Sequence, residues 1–482
     1  MNALTRDLVN LVNTAEENQT AKEQTSGTQF REKLHLMPPV GWLNDPNGLC
    51  QMDGVFHAFF QYSPFNAEGG VKMWGHYTST NLIDWEYKGV SLYPDQPFDC
   101  HGVYSGSAFL EDGTMYLYYT GNVKLEDGDF DYINTGREAN TVLVTTKDGI
   151  HFGSKKELLR NSDYPSDLTC HVRDPKVWKK DDTYYMIQGA RTKNDVGQAL
   201  IFESSDKINW HFRSRVESEK PFGYMWECPD YFVLDGVSVL TFSPQGVPAD
   251  GFRFQNIYQS GYCVLHGEIG GDYTLSEFRE LDAGFDFYAP QTYQDEQGRR
   301  ILIGWLGMPD SDYGYAEKAY GWTQMQTIPR VLSVRDGALY QQPLPELQAL
   351  RRSAFRIQVE ESSEMRCAPA YETDIRVEEG DHLTLRFGTD GVLEWKDGMV
   401  TLSFGESGLG RTSRTVPLEQ LKRIQLFCDT SSIEIFLNDG AAVFTSRFYA
   451  DPVASVFSVA VQKAEFIMWE LQPISIRKEN LL

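Results

Sequence analysis

Apolar and polar residues alternate with period two over most of this chain, and acidic turns cut the alternation at regular intervals. Period two marks strands with one buried face. Five stretches share one order: a polar or acidic opening, an apolar strand, an acidic turn and a second apolar strand. They read NDPNGLCQMDGVFHAFFQ from Asn44, SGSAFLEDGTMYLYYTG from Ser105, RDPKVWKKDDTYYMIQG from Arg173, ECPDYFVLDGVSVLTFS from Glu227 and APQTYQDEQGRRILIGW from Ala289. The turns fall at Asp53-Gly54, Asp112-Gly113, Asp181-Asp182, Asp235-Gly236 and around Gln297-Gly298. Asp-Gly between alternating runs marks a tight hairpin, because such a turn needs φ > 0. Three stretches are followed by a further shared segment: STNLIDW ending at Trp85, TTKDGIHF at Phe152 and SSDKINW at Trp210.

The repeats recur every 55–70 residues or so, room for a four-stranded sheet each. An all-β fold follows, with a five-bladed β-propeller over residues 30–342. Residues 1–29 predict an amphipathic helix, with Leu4, Leu8, Leu11 and Val12 on its apolar face, and then a polar tail. Residues 343–354 predict a short linker helix. From 355 to 482 the strand-like runs HLTLRF, VTLSF, RIQLFC, SIEIFLNDG, AVFTSRFY and SVFSVAV predict a separate β-sandwich.

Composition narrows the partners. A formal charge of −24 sets the chain against nucleic acid and anionic membranes. No run of about 18 apolar residues could span a bilayer. The N-terminus lacks the apolar centre of an export signal, and the seven cysteines, an odd number with no CxxC pair, fit reduced thiols. Both features point to the cytoplasm. The histidines have neither HxxxH nor HExxH spacing, so no metal is expected, and no glycine-rich phosphate or dinucleotide loop calls for a cofactor. The formal charge does not exclude a small molecule, phosphorylated ones included, and homo-oligomerisation is left open.

In a propeller the innermost strands all start on one face. The repeat alignment therefore puts Asp45, Asp174 and Glu227 at matching positions in three blades, converging at one mouth of the channel. Glycosidic cleavage uses such a set: one carboxylate attacks the anomeric carbon, and another protonates the leaving oxygen. Each acid alone has an ordinary explanation. Asn-Asp-Pro-Asn-Gly is a common turn sequence, Arg173 can pair with Asp174, and a strand-opening Glu is usually solvated. Recurrence at the axial start of strands is what separates them from ordinary turns.

The motifs WLNDPNG at 42–48, FFQYSP at 59–64, WGH at 74–76, YSGSA at 104–108, RDP at 173–175, ECPD at 227–230, DFYAPQT at 286–292 and SIEIFLNDG at 432–440 stand in order. With them the chain resembles glycoside hydrolase family 32, the invertase and sucrose-6-phosphate hydrolase group, nearly end to end. The resemblance implies a five-bladed propeller with a β-sandwich and a retaining β-fructofuranosidase. It makes Asp45 the nucleophile, Glu227 the general acid/base and Asp174 the transition-state stabiliser. Trp42, Leu43, Asn44, Gln61, Trp74, Tyr104, Ser105 and Arg173 become substrate-binding positions. Leu43 stands where Met is commoner in the family, and Tyr104 where Phe is.

That chemistry sets further expectations. Glu227 must hold a proton near neutral pH, so burial beside Trp226 and nearby carboxylates should raise its pKa. Asp45 must stay ionised, with backbone N–H groups of its own turn as donors. Second strands should end at the funnel rim, at Gln61, Gly121-Asn122, Gln188 to Lys193, Ser243-Pro244-Gln245 and Trp305. Arg191 and Lys193 are then candidate ligands for a phosphate on the leaving sugar, and Tyr288 and Trp305 candidate leaving-group contacts. Substrates would be sucrose, sucrose 6-phosphate or short fructo-oligosaccharides. An inverting arabinan- or xylan-cleaving hydrolase is the alternative enzyme, opposed by NDPNG and ECPD. A non-catalytic fructan-binding protein is the other, opposed by the presence of all three acids.

Overall fold

The structure, a computed structural model, describes residues 2–451 and 456–478. It is an all-β protein: a β-propeller with a β-sandwich-like sheet after it. Strands Gly41–Met52, Val55–Ser63, Met73–Ser79 and Asp84–Leu92 form the first propeller sheet. Further antiparallel sheets open with Val103–Glu111, Leu168–Lys180, Met225–Leu234 and Tyr288–Gln294. These opening strands pack side by side in chain order, and Tyr288–Gln294 lies back against Gly41–Met52.

Local sequence explains the hairpins. Asp53, Asp112, Asp181 and Asp235 all adopt φ of 50–53°, and Gly54, Gly113 and Gly236 follow them with positive φ. Asp tolerates this left-handed region because its short side chain bonds locally, and Gly has no Cβ to clash. The segments ending at Trp85 and Trp210 also share one geometry. In each, a Ser hydroxyl accepts the N–H three residues on, and the indole donates to the carbonyl three residues back.

Among the described residues the sandwich-like sheet has nine strands, of which Val456–Leu471 pairs with both Arg351–Arg366 and Tyr371–Phe387. The expected linker helix is a 3₁₀ turn over Pro345–Leu350. Two short strands bind distant parts of the chain to the first sheet. Trp322–Thr323 pairs in parallel with Gly41–Trp42, and Ser475–Lys478 leaves the sandwich to pair in parallel with Asp84–Tyr87.

Helix Ala3–Ser26, capped by Asn2, docks on the first sheet by part of the expected face, with Val12 buried and Leu8 packed on the core. Leu4 and Leu11 are 51% and 56% exposed. The buried stripe is Thr5, Val12, Glu16 and Gln19, at helical spacing. Glu16 accepts from the Tyr62 and Tyr87 hydroxyls and pairs with Lys478 at 2.9 Å. A mainly polar docking face cannot be read from apolar periodicity, which is why the pattern caught only Leu8 and Val12 of it. Among the described residues no helix is long and apolar enough to cross a membrane.

Between propeller and sandwich lies a buried charged clasp. Arg330 reaches Asp282 at 3.0 Å and Glu434 at 2.6 Å, with all three side chains fully buried. His35 sits between Asp429 and Glu434 at 2.9 and 3.1 Å. Burial opposes its charge, but the two carboxylates raise its pKa to about 10. Glu32, His35 and Asp429 are close enough together to hold a cation. A protonated imidazole with both nitrogens donating offers no lone pair, so this group is an ion cluster. Arg411 grips Asp286 at 2.6 Å in the same interface.

Candidate active site

The opening strand of every propeller sheet carries an irregularity at the same place. Asn44 and Asp45 lie between paired positions so that two residues face Gln61 alone, a β-bulge. Tyr104-Ser105 stand so against Thr120, Asp174-Pro175 against Gln188, Cys228-Pro229 against Phe242, and Ala289-Pro290 against Gly304. Asp174, Cys228 and Ala289 adopt φ of 63°, 48° and 46° there. The pairing revises the matching positions expected for the three acids. Asp45 is the second residue of its bulge, Asp174 the first of its own, and Glu227 the residue just before the bulge. A bulge re-aims neighbouring side chains, so successive positions can face one point despite strand alternation.

Asp45 and Asp174 meet at one atom. The Cys228 sulfur lies 3.9 Å from Asp45 Oδ2 and 3.6 Å from Asp174 Oδ2. Asp45 Oδ2 accepts the Ser105 hydroxyl, and Oδ1 accepts Asn44 Nδ2 at 3.1 Å. These donors are side chains, not the backbone N–H groups expected from the turn. Gln61 ties them together, accepting from Asn44 at 2.6 Å and donating to Ser105 Oγ at 2.6 Å. Burial raises the pKa of Asp45, and the Ser105 hydrogen bond opposes that rise.

Asp174 is buried, its Oδ2 accepting the Cys228 N–H at 2.9 Å. Its pKa rises to about 7, through burial and the charges of Glu227 and Asp45, with Arg173 opposing. Glu227 is gripped on Oε1 by Arg173 Nε and Nη2, at 2.9 and 2.7 Å. Its Oε2 accepts from the Tyr288 hydroxyl at 2.7 Å and Gln245 Nε2 at 2.8 Å. Trp226 does not wall this carboxylate, because strand alternation sends its ring to the opposite face, stacked on Phe242 at 4.1 Å. Burial opposes the charge of Arg173, but Glu227 and Asp174 hold its pKa above the ordinary value. Glu227 and Asp174 thus share one guanidinium.

The other predicted residues divide. Trp42 donates to Asn44 Oδ1 at 3.1 Å and meets Trp305 edge-on at 5.9 Å; Trp305 in turn lies 6.2 Å from Tyr288. Trp74 is fully buried and donates to the Tyr104 carbonyl at 3.1 Å, so it holds the second sheet's bulge from behind. Leu43 points into the hydrophobic core with Phe60 and Tyr62 and does not reach the acids, again because alternate residues face opposite ways. Arg191 is paired with Asp195 at 2.7 Å and lies over the Tyr224 ring, and Lys193 donates to the Ser166 carbonyl at 2.8 Å.

Gln245, expected at the funnel rim, reaches Glu227. Sequence reasoning missed Cys228, His171 and Lys72. Cys228 lies inside ECPD, so spacing could have found it. Lys72 holds its ammonium 5.1 Å from the centre of the Trp42 ring, where burial lowers its pKa to about 8 against the pull of Asp45. His171 meets Arg173 Nη1 through Nδ1 at 2.6 Å. Nothing in the local sequence marks either of these two.

Residues 35–343 match the family described as Glycosyl hydrolases family 32 N-terminal domain, and residues 400–470 match Glycosyl hydrolases family 32 C terminal. The chain belongs to glycosyl hydrolase family 32. It is a hydrolase of that family's β-fructosidase class. A sucrose-6-phosphate hydrolase of Bacillus subtilis is 41% identical over 442 residues, covering 88% of this chain and 89% of the relative. A raffinose invertase of Escherichia coli is 38% identical over 450 residues, covering 89% and 92%. Among solved structures, a sucrose-6-phosphate hydrolase from Lactobacillus gasseri superposes with a TM-score of 0.87 at 29% identity, covering 96% of each chain. A Bombyx mori β-fructofuranosidase mutant in complex with sucrose gives 0.84 at 30% identity, covering 97% and 99%.

Proposed function

We propose that this family 32 hydrolase is a retaining β-fructofuranosidase acting on sucrose, sucrose 6-phosphate or short fructo-oligosaccharides. Asp45 attacks the anomeric carbon of the fructosyl unit while Glu227 protonates the departing glycosidic oxygen. Water, deprotonated by Glu227, then releases fructose from the covalent fructosyl-enzyme. Asp174 accepts hydrogen bonds from sugar hydroxyls, which strengthen as oxocarbenium charge develops. Arg173 positions Glu227, and Trp42 and Trp305 supply an apolar wall for the sugar faces.

The observation that carries this reading is the meeting of three carboxylates from three sheets, Glu227 and Asp174 on Arg173 and Asp45 in the field of Lys72. Burial and mutual repulsion let such a cluster retain a proton near neutrality, and the proton belongs to the group. Glu227 has the geometry to deliver it, having its Oε2 in neutral hydrogen bonds and its Oε1 on Arg173. Retention needs the two working carboxyls about 5–5.5 Å apart, and inversion about 6.5–9.5 Å. The crowding of Asp45 against Cys228, the neighbour of Glu227, favours retention.

The fold reading behind this is five blades in a closed ring over residues 30–342, supported by the contact of Tyr288–Gln294 with Gly41–Met52. Residues 1–29 are then a docked extension, 343–354 a linker and 355–482 the sandwich domain. A phosphorylated substrate would place the enzyme in the cytoplasm, and its seven cysteines are unpaired.

Initial rates on sucrose, sucrose 6-phosphate, 1-kestose and inulin test the assignment, with Glu227→Gln as control. Fructose release that falls by about 10³-fold or more in the control is expected. The first product should keep the anomeric configuration of the substrate. No fructose from any of the four would overturn the reading, and an inverted product would overturn retention.

A further inference from the structure

Arg191 and Lys193, the rim cations conspicuous in the sequence, are already engaged with Asp195 and Ser166. The unsatisfied cation is a different one. Arg137 begins strand Arg137–Thr146 in the second sheet, and its Nη1 donates to Asn122 Oδ1 at 3.2 Å. Its Nε is buried and meets no acceptor, and it forms no ion pair with any described carboxylate. Its main electrostatic neighbours are Tyr104, Arg173 and Cys170, and a second guanidinium there only adds positive charge.

Two further observations point the same way. Lys124 stands directly opposite Arg137 in the ladder, and like charges so placed repel. The Lys124 ammonium has the Tyr132 ring 5.4 Å away and no carboxylate partner among the described residues. His171 is held neutral, with its pKa driven far down by burial and by Arg173, Arg137 and Arg191 together. Arg173 touches this imidazole at 2.6 Å, and the charges of Arg137 and Arg191 act on it from further off. Glu227 neutralises the first and Asp195 the third, and nothing neutralises Arg137. A folded chain of charge −24 has carboxylates in plenty, so an uncompensated pair of cations at this place is a built feature.

We propose that Arg137, with Lys124 beside it, is the specificity-determining site for a phosphomonoester on the leaving sugar. The inference rests on the β-fructofuranosidase reading and deepens it. Arg137 lies next to Arg173, which grips the acid that protonates the leaving oxygen, so it faces the leaving-group side. A guanidinium with free N–H groups offers the planar donor fork that phosphate oxygens accept, and Lys124 adds a point charge. The phosphate accepts from the terminal guanidinium nitrogens, Nε being buried, and offsets the repulsion at once. Free sucrose does neither.

Two measurements test it. In the first, kcat/KM for sucrose 6-phosphate and for sucrose gives a selectivity ratio for the wild type, Arg137→Gln, Arg137→Lys and Lys124→Gln. The ratio should fall about 100-fold in Arg137→Gln, mainly through KM, and about 10-fold in the other two. An equal loss on both substrates in Arg137→Gln would overturn the proposal in favour of a structural role. The second measurement is calorimetric binding of glucose 6-phosphate and glucose to Glu227→Gln protein, with and without Arg137→Gln. Tighter binding of the phosphate that depends on Arg137 supports the site even if no fructoside is cleaved. Equal binding of the two ligands would overturn it, while fructose release by the wild type would leave the parent reading intact.

Discussion

Ser105 carries much of the electrostatic work at Asp45, the proposed nucleophile. Burial pushes the pKa of Asp45 up, and the hydroxyl of Ser105 is the main force against that rise. A hydrogen bond to a charged group contributes about 1.5–3 kcal/mol, or about one to two pH units. Ser105→Ala should therefore move the acidic limb of the kcat/KM profile to higher pH by about one unit, because the proposed mechanism needs Asp45 ionised. An unmoved limb would show that Ser105 does not set this charge. The opposite limb belongs to the shared proton. With Asp174 raised to about 7, the cluster is protonated below that pH and loses the proton above it. The rate should fall as pH rises through about 7, and a profile flat to pH 9 would contradict the shared-proton account.

At the scale of elements, five bulges do what strand alternation forbids. They turn successive residues toward one point, and the left-handed φ at Asp174, Cys228 and Ala289 is the local cost. At φ 48° a β-branched side chain is strained far more than a small one. Cys228→Val should destabilise the protein by about 1–3 kcal/mol in urea unfolding, with Cys228→Ala within about 1 kcal/mol of wild type. Equal stability of the two variants would mean that the bulge relaxes freely. The hairpin turns were legible, since Asp-Gly fixes its own φ. The bulges were only partly so: Asp174-Pro175, Cys228-Pro229 and Ala289-Pro290 share a Pro, which cannot donate to the ladder, but Asn44-Asp45 and Tyr104-Ser105 carry no such mark. The docked helix was half legible: its existence follows from composition, but its buried face is Glu16 and Gln19 among others, set by Tyr62, Tyr87 and Tyr320.

At the scale of the molecule, two family motifs turn out to serve the domain junction. Glu434 of SIEIFLNDG holds Arg330 and His35, and Asp286 of DFYAPQT holds Arg411. His35 makes this junction sensitive to alkali. Its pKa is raised from 6.5 to about 10 on folding, so its contribution to stability is complete below 6.5 and is lost as pH rises through about 10. The melting temperature should drop between pH 8 and 10, and His35→Gln should flatten that dependence while lowering stability at pH 6. A wild-type curve parallel to that of His35→Gln would remove His35 from the junction's energetics.

The sequence by itself determined the strands, the acidic hairpins and the identity of the three acids. Those features are written in alternation and in short motifs, where each residue acts on its near neighbours. Only the tertiary structure decided what holds each acid. Ser105 stands 60 residues from Asp45, Arg173 54 residues from Glu227, and Arg330 104 residues from Glu434. Burial and charge pairing at such separations depend on how sheets pack round an axis, and so does the surplus charge of Arg137. Local pattern carries no record of that packing, because the partners of a strand's far face come from other sheets.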